Sequence, residues 1–283
     1  MQVHLIDGTY ELFRGWFGSP PQQTTAGREV AATRFILRSL VSLLRKKTMT
    51  HVGVAFDHVI ESFRNDLFAG YKTGEGVPEG LFAQFELAER TVAALGVAMW
   101  PMVEFEADDA IATAAHRAAQ DPTVERVVIT AVDKDMCQCV VGTRVVCWDR
   151  FKDNYLDEDA VIAKHGVRPA SIPDLLGLVG DTADGIPGLD GWGKTSAAKL
   201  LMAYGTLERI PDDHATWTAT VRGADKLAAV LRGNRELALL YKKLATLRLD
   251  CPIDTTHLEW RGVPDPTVLA AICDELEVSV PDL

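Results

Sequence analysis

The sequence predicts an α/β protein, with a mostly parallel central sheet flanked by helices and a second, helical domain behind it. Three observations predict this. Short apolar runs of β character alternate with helical stretches through the first half of the chain. Acidic residues follow the ends of several of those runs, and beyond about residue 157 no further strand pattern is convincing. Strands alternating with helices imply parallel strands covered on both faces.

Val3-His4-Leu5-Ile6 is the first run and stops at Asp7-Gly8. Residues 29–47 then follow the helical period. Val30, Phe35, Ile36, Leu37, Leu40, Val41, Leu43 and Leu44 form one stripe, and Arg34, Arg38, Arg45, Lys46 and Lys47 lie opposite. A second strand runs from His51 to Phe56 and ends at Asp57; residues 81–95 are helical, and a third strand spans Val97 to Met102. Residues 107–120 form an Ala-rich helix with Asp108 and Asp109 in its first turn. Val127 to Thr130 precedes Asp133-Lys134-Asp135, and Val145 to Trp148 is a fifth strand. Residues 73–78 read as a Gly-rich tip between two short helices. The expected division is an α/β core over 1–169, interrupted near 60–85, and a helical domain over 170–283.

At 283 residues and 47% apolar content, the chain is long enough for a large core. No apolar run approaches the roughly 18–20 residues needed to span a bilayer. The first residues run straight into a strand rather than a basic and then apolar leader. A cytoplasmic protein is expected. Five cysteines, an odd number without zinc spacing, predict buried free thiols.

The formal charge of −11 would ordinarily argue against a nucleic-acid ligand. Nine of the 40 acids, however, gather at strand ends or in short clusters: Asp7, Asp57, Glu106, Asp108, Asp109, Asp133, Asp135, Asp181 and Asp184. Without them, 31 acidic residues face 29 basic ones. In open α/β sheets, ligands collect at the carboxyl ends of strands. Carboxylates crowded there repel one another and titrate upward unless a cation lies between them. Hard divalent ions such as Mg²⁺ or Mn²⁺ suit carboxylate oxygens, so the pattern points to a metal site. Alone, an acidic first turn at 106–109 also suits a helix N-terminus without any metal.

A second motif, Gly180-Asp181-Thr182-Ala183-Asp184-Gly185-Ile186-Pro187-Gly188, sets two acids three residues apart. It runs on into Gly191, Gly193, Lys194 and Thr195. Gly188 to Thr195 fits the spacing of a phosphate-binding P-loop, but the strand that must precede one is replaced by Pro187 and a turn. Glycines ahead of a helix nevertheless expose backbone N–H groups to phosphate.

Taken together, the motifs resemble the 5′ nuclease, or flap endonuclease, family, as in the N-terminal nuclease domain of bacterial DNA polymerase I. They read Ile6-Asp7-Gly8-Thr9, Phe56-Asp57, Phe63-Arg64-Asn65-Asp66-Leu67-Phe68 with Tyr71-Lys72, and Glu106-Ala107-Asp108-Asp109. Asp133-Lys134-Asp135-Met136, Gly180-Asp181 to Gly188 and Leu244-Ala245-Thr246 complete the set. The resemblance implies a PIN-like core, a helical arch near 60–85 and a helix-three-turn-helix near 180–205. It implies flap endonuclease and 5′-3′ exonuclease activity, with two or more Mg²⁺ or Mn²⁺ ions. Asp7, Asp57, Glu106 and Asp108 would hold the first ion, and Asp133, Asp135, Asp181 and Asp184 the second, with Asp109 nearby. Arg64, Lys72 and Arg14 match basic positions beside the scissile phosphate. Gly188, Gly191, Gly193, Lys194, Lys199, Arg232 and Arg235 would contact duplex DNA, with a K⁺ ion at the helix-three-turn-helix. The expected partner is branched or nicked duplex DNA with a 5′ end or flap, RNA-primed or not, bound by a monomer.

The chain departs from the family in three places. Gly74-Glu75 replaces a basic pair after Tyr71-Lys72, Val132 replaces a Gly, and Lys194-Thr195-Ser196 shifts the usual Glu-Lys-Thr. None removes a metal ligand. Two competing readings stay open: a non-catalytic DNA-binding scaffold of the same fold, and a PIN-type ribonuclease.

Overall fold

The computed structural model describes residues 1–131 and 133–283; Val132 lies outside the described residues. The chain opens with β1 (Gln2–Asp7), α1 (Gly8–Gly18), α2 (Ala31–Leu44), β2 (His51–Asp57), α3 (Phe63–Leu67), α4 (Glu79–Phe82) and α5 (Phe85–Ala94). It continues through β3 (Ala98–Met102), α6 (Ala107–Gln120), β4 (Arg126–Thr130), β5 (Val145–Asp149), β6 (Asn154–Leu156) and α7 (Glu158–His165). Helices α8 (Ile172–Val179), α9 (Lys194–Tyr204), α10 (Ala224–Gly233), α11 (Arg235–Ala245) and α12 (Pro266–Glu275) follow.

Two compact units result, each built from more than one segment of the chain. The first comprises Met1–Ser62, Gly74–Ala131 and Arg248–Leu283, and the second Phe63–Thr73 and Val132–Leu247. The return of the last 36 residues to the first unit has a clear cause. Val52 N–H donates to Leu258 O at 2.8 Å, and the Trp100 and Trp260 indoles donate to Asp254 O and Leu95 O. Arg117 adds bonds to Cys251 O and Ile253 O.

In the first unit, four parallel strands lie in the order β3-β2-β1-β4. Val3, Leu5 and Ile6 on β1 and Val52, Val54 and Phe56 on β2 are buried whichever face they take, as a sheet covered on both sides requires. Ala110, Ile111 and Ala114 of α6 are fully buried, and small side chains let that helix lie close against its neighbours. Asp7 and Asp57 are the last residues of the two central strands, in register such that Asp7 pairs with Ala55. Sequence reading missed α1, whose polar and aromatic residues mask its period.

His4, on β1, is 4% exposed and its Nδ1 has no partner. Burial, then the charge of Lys46, pull its pKa from 6.5 to about 4. The folded protein therefore keeps His4 neutral at pH values where the unfolded chain takes up a proton. That contribution to stability is whole above about pH 6.5 and is lost as the pH falls toward 4. At about 1.4 kcal/mol per pKa unit, the full loss is about 3 kcal/mol. His4→Leu is expected to flatten the urea-midpoint profile between pH 6.5 and 4; an unchanged slope would assign the acid limb to other groups.

In the second unit, β5 and the short β6 form an antiparallel pair, and the remainder is helical. Helix α8 packs on α11 at Gly177, where a Cβ would stand 2.9 Å from Ala238 O. The cysteines are all free; four are buried and Cys139 is partly so. Among the described residues, no helix is long and apolar enough to cross a membrane.

Candidate metal centre

The nine acids divide between the units: Asp7, Asp57, Glu106, Asp108 and Asp109 in the first, and Asp133, Asp135, Asp181 and Asp184 in the second. In the first unit, Asp7 ends β1 and caps α1, accepting from Tyr10 N at 2.8 Å. Asp57 accepts from Ala107 N at 2.8 Å, which ties the end of β2 to the first turn of α6, and its own N–H donates to Thr9 Oγ at 2.7 Å. Glu106 is 3% exposed and accepts from the Ser62 hydroxyl at 2.7 Å. Thr9 and Ser62 orient these acids, and nothing in the sequence alone marks either.

Asp109 is placed differently from its neighbour Asp108. It is fully buried, and its two oxygens accept from backbone amides, Oδ2 from Glu106 N at 3.0 Å and Oδ1 from Arg248 N at 2.8 Å. With Glu106 it closes a capping box at the start of α6. These bonds start the helix and hold residue 248, and Asp108 stands half-buried in the same turn.

The second unit contains the tight cluster. Asp135, Asp181 and Asp184 each offer a carboxylate oxygen, and the three lie within 4.8 Å of one another. Asp133 is exposed beside them. Asp135 begins a 3-10 turn over Asp135–Cys139, and its Oδ1 is buried without a partner. Burial, followed by the charges of Asp133, Asp184 and Asp181, pushes the Asp135 carboxyl well above the ordinary carboxylate range. The turn carrying the other two acids is closed by reciprocal bonds of 2.7 Å between the backbones of Asp181 and Ile186. Gly185 (φ +72°) makes it possible, since a Cβ there would stand 2.1 Å from Gly70 O.

Two lysines face this cluster. Lys134 Nζ is 2.7 Å from Asp181, and Lys72 Nζ is 3.0 Å from Asp184. Burial works against the Lys134 ammonium, but Asp181, then Asp135 and Asp133, outweigh it and raise its pKa. The donor set fits a divalent cation: clustered hard oxygens, one of them buried and unsatisfied.

The other basic residues differ in burial and in the partners they hold. Arg64, expected on the arch, is 1% exposed, with Nε donating to Leu244 O at 2.7 Å and a terminal nitrogen to Thr246 O at 3.1 Å. Its guanidinium also lies 4.7 Å from the Phe63 ring centre. Bonds of this kind tie Arg64 to the end of α11. Arg235 is likewise committed, to Leu207 O, Ile210 O and Asp212. Arg14 is half-buried, 6.0 Å from the Phe35 ring. Lys194, Lys199 and Arg232 are exposed, as are Gly191 and Gly193 ahead of α9. Gly188 (φ +72°) packs against Val179, where a Cβ would meet the backbone at 2.4 Å. Gly74 N–H donates to Glu61 at 2.9 Å, which fastens one side of the Gly-rich tip.

The first unit thus carries a four-stranded parallel sheet with acids at its strand ends, and the second an aspartate triad whose oxygens suit a divalent cation. Residues 2–166 match the 5′-3′ exonuclease N-terminal resolvase-like domain, and residues 167–265 the 5′-3′ exonuclease C-terminal SAM fold. The chain belongs to the 5′-3′ exonuclease family. It is 32% identical to a 5′-3′ exonuclease of Aquifex aeolicus over 278 residues, covering 98% of this chain and 92% of that protein. It is 35% identical to DNA polymerase I of Pseudomonas aeruginosa over 96% of its length, and spans 30% of that larger protein. In fold it is similar to T5 5′-exonuclease with bound zinc (TM-score 0.71, 17% identity, 98% and 99% of the two chains covered). It is also similar to the catalytic core of Rad2 in complex with DNA substrate (TM-score 0.63, 16% identity, 97% and 86% covered).

Proposed function

We propose that this protein is a divalent-metal-dependent, structure-specific 5′ nuclease that hydrolyses DNA phosphodiesters near a 5′ end or flap. The observation that carries the reading is the Asp135, Asp181 and Asp184 triad, with a buried, unsatisfied oxygen, in a chain of the 5′-3′ exonuclease family. Asp133, Asp135, Asp181 and Asp184 would hold one Mg²⁺ or Mn²⁺ ion, and Asp7, Asp57, Glu106 and Asp108 another. Bound ions of this kind lower the pKa of a water and stabilise the attacking and leaving oxygens of an in-line displacement. The protein's part is to fix the carboxylates. Asp57 and Glu106 are oriented by Ala107 N and Ser62, and Asp181 by Ala183 N at 3.1 Å. Lys72 and Arg14 are the basic groups proposed beside the scissile phosphate.

Branched or nicked duplex, RNA-primed or not, is the proposed substrate of a cytoplasmic monomer. Support for a duplex grip comes from exposed Gly191, Gly193, Lys194 and Lys199 at the start of α9, where backbone N–H groups and positive charge suit phosphate. A K⁺ ion held by carbonyls of the 188–193 turn belongs to the same proposal.

The test offers the purified protein a 5′-flap duplex, a nicked duplex and a single-stranded RNA, each with Mg²⁺, Mn²⁺ or EDTA. Metal-dependent cleavage at the flap base is expected. Binding without cleavage under both metals would favour a scaffold, and cleavage of the RNA alone a PIN-type ribonuclease.

A further inference from the structure

The aspartate triad is already neutralised in part by the protein itself. Lys134 reaches Asp181 at 2.7 Å, and Lys72 reaches Asp184 at 3.0 Å. Their two positive charges equal that of one divalent ion, and they touch two of the three carboxylates that form the triad. The third, Asp135, has neither lysine on its buried Oδ1. The Asp181 side chain is 2% exposed, so its charge is poorly served by water and depends on this neighbour. Lys134 is different: 37% of its side chain is exposed, and its stem can swing the ammonium into solvent at little cost.

We propose that Lys134 is an exchangeable internal counter-ion, which a divalent cation must displace from Asp181 to enter the triad. The inference rests on the metal reading of Asp135, Asp181 and Asp184. In the metal-free protein the ammonium offsets the mutual repulsion of the carboxylates and keeps the 181–186 turn in place. When the cation enters, it takes the oxygen that Lys134 leaves. Binding is then an exchange of one cation for another, so its net affinity is weaker than three bare carboxylates would give. Lys134 thereby sets the metal concentration at which the triad fills, and the freed ammonium remains at the edge of the site as a positive charge.

Titration calorimetry with MnCl₂ on the full chain, without DNA, tests this independently of cleavage. Lys134→Met is expected to bind Mn²⁺ about threefold to tenfold more tightly than the unaltered protein and to melt at a lower temperature in EDTA. Lys134→Arg keeps the charge and should remain close to the unaltered protein, which guards against a folding defect in the methionine variant. Lys152→Met is the control for net charge: Lys152 is 82% exposed and pairs with Asp149 instead, at 3.6 Å. Its Mn²⁺ affinity should be unchanged. Equal affinities for Lys134→Met and the unaltered protein overturn the counter-ion while leaving the metal site intact. An equal gain in Lys152→Met reduces the effect to net charge and overturns it too. Absence of Mn²⁺ binding by the unaltered protein removes the metal reading along with the inference.

Discussion

Asp135→Asn is expected to abolish cleavage while making the metal-free protein more stable. These opposite signs follow from one geometry. Asp135 is 6% exposed, its carboxyl is pushed upward by burial and three neighbouring acids, and its Oδ1 has no partner. In the absence of metal that arrangement is unfavourable, because a buried carboxylate without a cation costs far more than a neutral amide of the same shape. Asparagine removes a like charge from the triad, so a higher urea midpoint in EDTA is expected. With Mg²⁺ present the balance reverses. The ion loses an anionic oxygen from a set of few, and a loss of at least about 10³ in single-turnover rate follows from about 4 kcal/mol less charge stabilisation. Binding of a flap duplex in EDTA should stay close to that of the unaltered protein, since the exposed lysines around α9 are untouched. An undiminished rate would remove Asp135 from the chemistry. A lower urea midpoint in EDTA would show that its carboxylate is a structural acceptor like that of Asp109.

That contrast between Asp135 and Asp109 marks where sequence reading reaches its limit. The parallel strands were legible because each is a short apolar run, and α6 matched its expected span of 107–120 because Ala-rich periodicity and an acidic first turn coincide there. The strand-end aspartates were legible for the same reason, as Asp7 and Asp57 close β1 and β2. What a carboxylate accepts from was not legible. Asp108 and Asp109 are neighbours in one motif, yet Asp109 turns inward to two amides brought from residues 106 and 248. The amide at 248 is 139 residues away in sequence, a contact no local pattern encodes. Lys134 was in view as the middle of Asp133-Lys134-Asp135, but only the fold shows which acid it faces. Strand β6 was missed because three residues carry too little pattern, and the packing of residues 248–283 against the sheet because it runs through backbone and tryptophan bonds rather than an apolar stripe.

Arg64→Met is expected to lower stability by about 3 kcal/mol, and to lower activity only as far as the folded fraction falls. A phosphate-binding arginine would give the opposite result, a large loss of rate with little change in the urea midpoint. The structure favours the first outcome on two grounds. Arg64 is among the largest fully buried side chains of the molecule, and its guanidinium is held by the carbonyls of Leu244 and Thr246, at and just beyond the end of α11. Those carbonyls are among the last of a helix, the ones left without intrahelical partners, so a donor there both satisfies them and complements the negative end of the helix. Methionine preserves much of the volume but leaves the acceptors buried and unmatched, at a cost of about 1–3 kcal/mol for such groups. The contact with the Phe63 ring at 4.7 Å is lost as well, worth about another 0.5–1 kcal/mol. Because Phe63 and Arg64 sit on α3, which leads to Lys72, loosening them also frees the segment that brings Lys72 to Asp184. The discriminating measurement is single-turnover cleavage at a urea-free temperature where the variant is still folded by circular dichroism. A rate within about threefold of the unaltered protein, beside a clearly lowered urea midpoint, assigns Arg64 to the fold; a rate lowered about a hundredfold or more in fully folded protein would return it to the scissile phosphate.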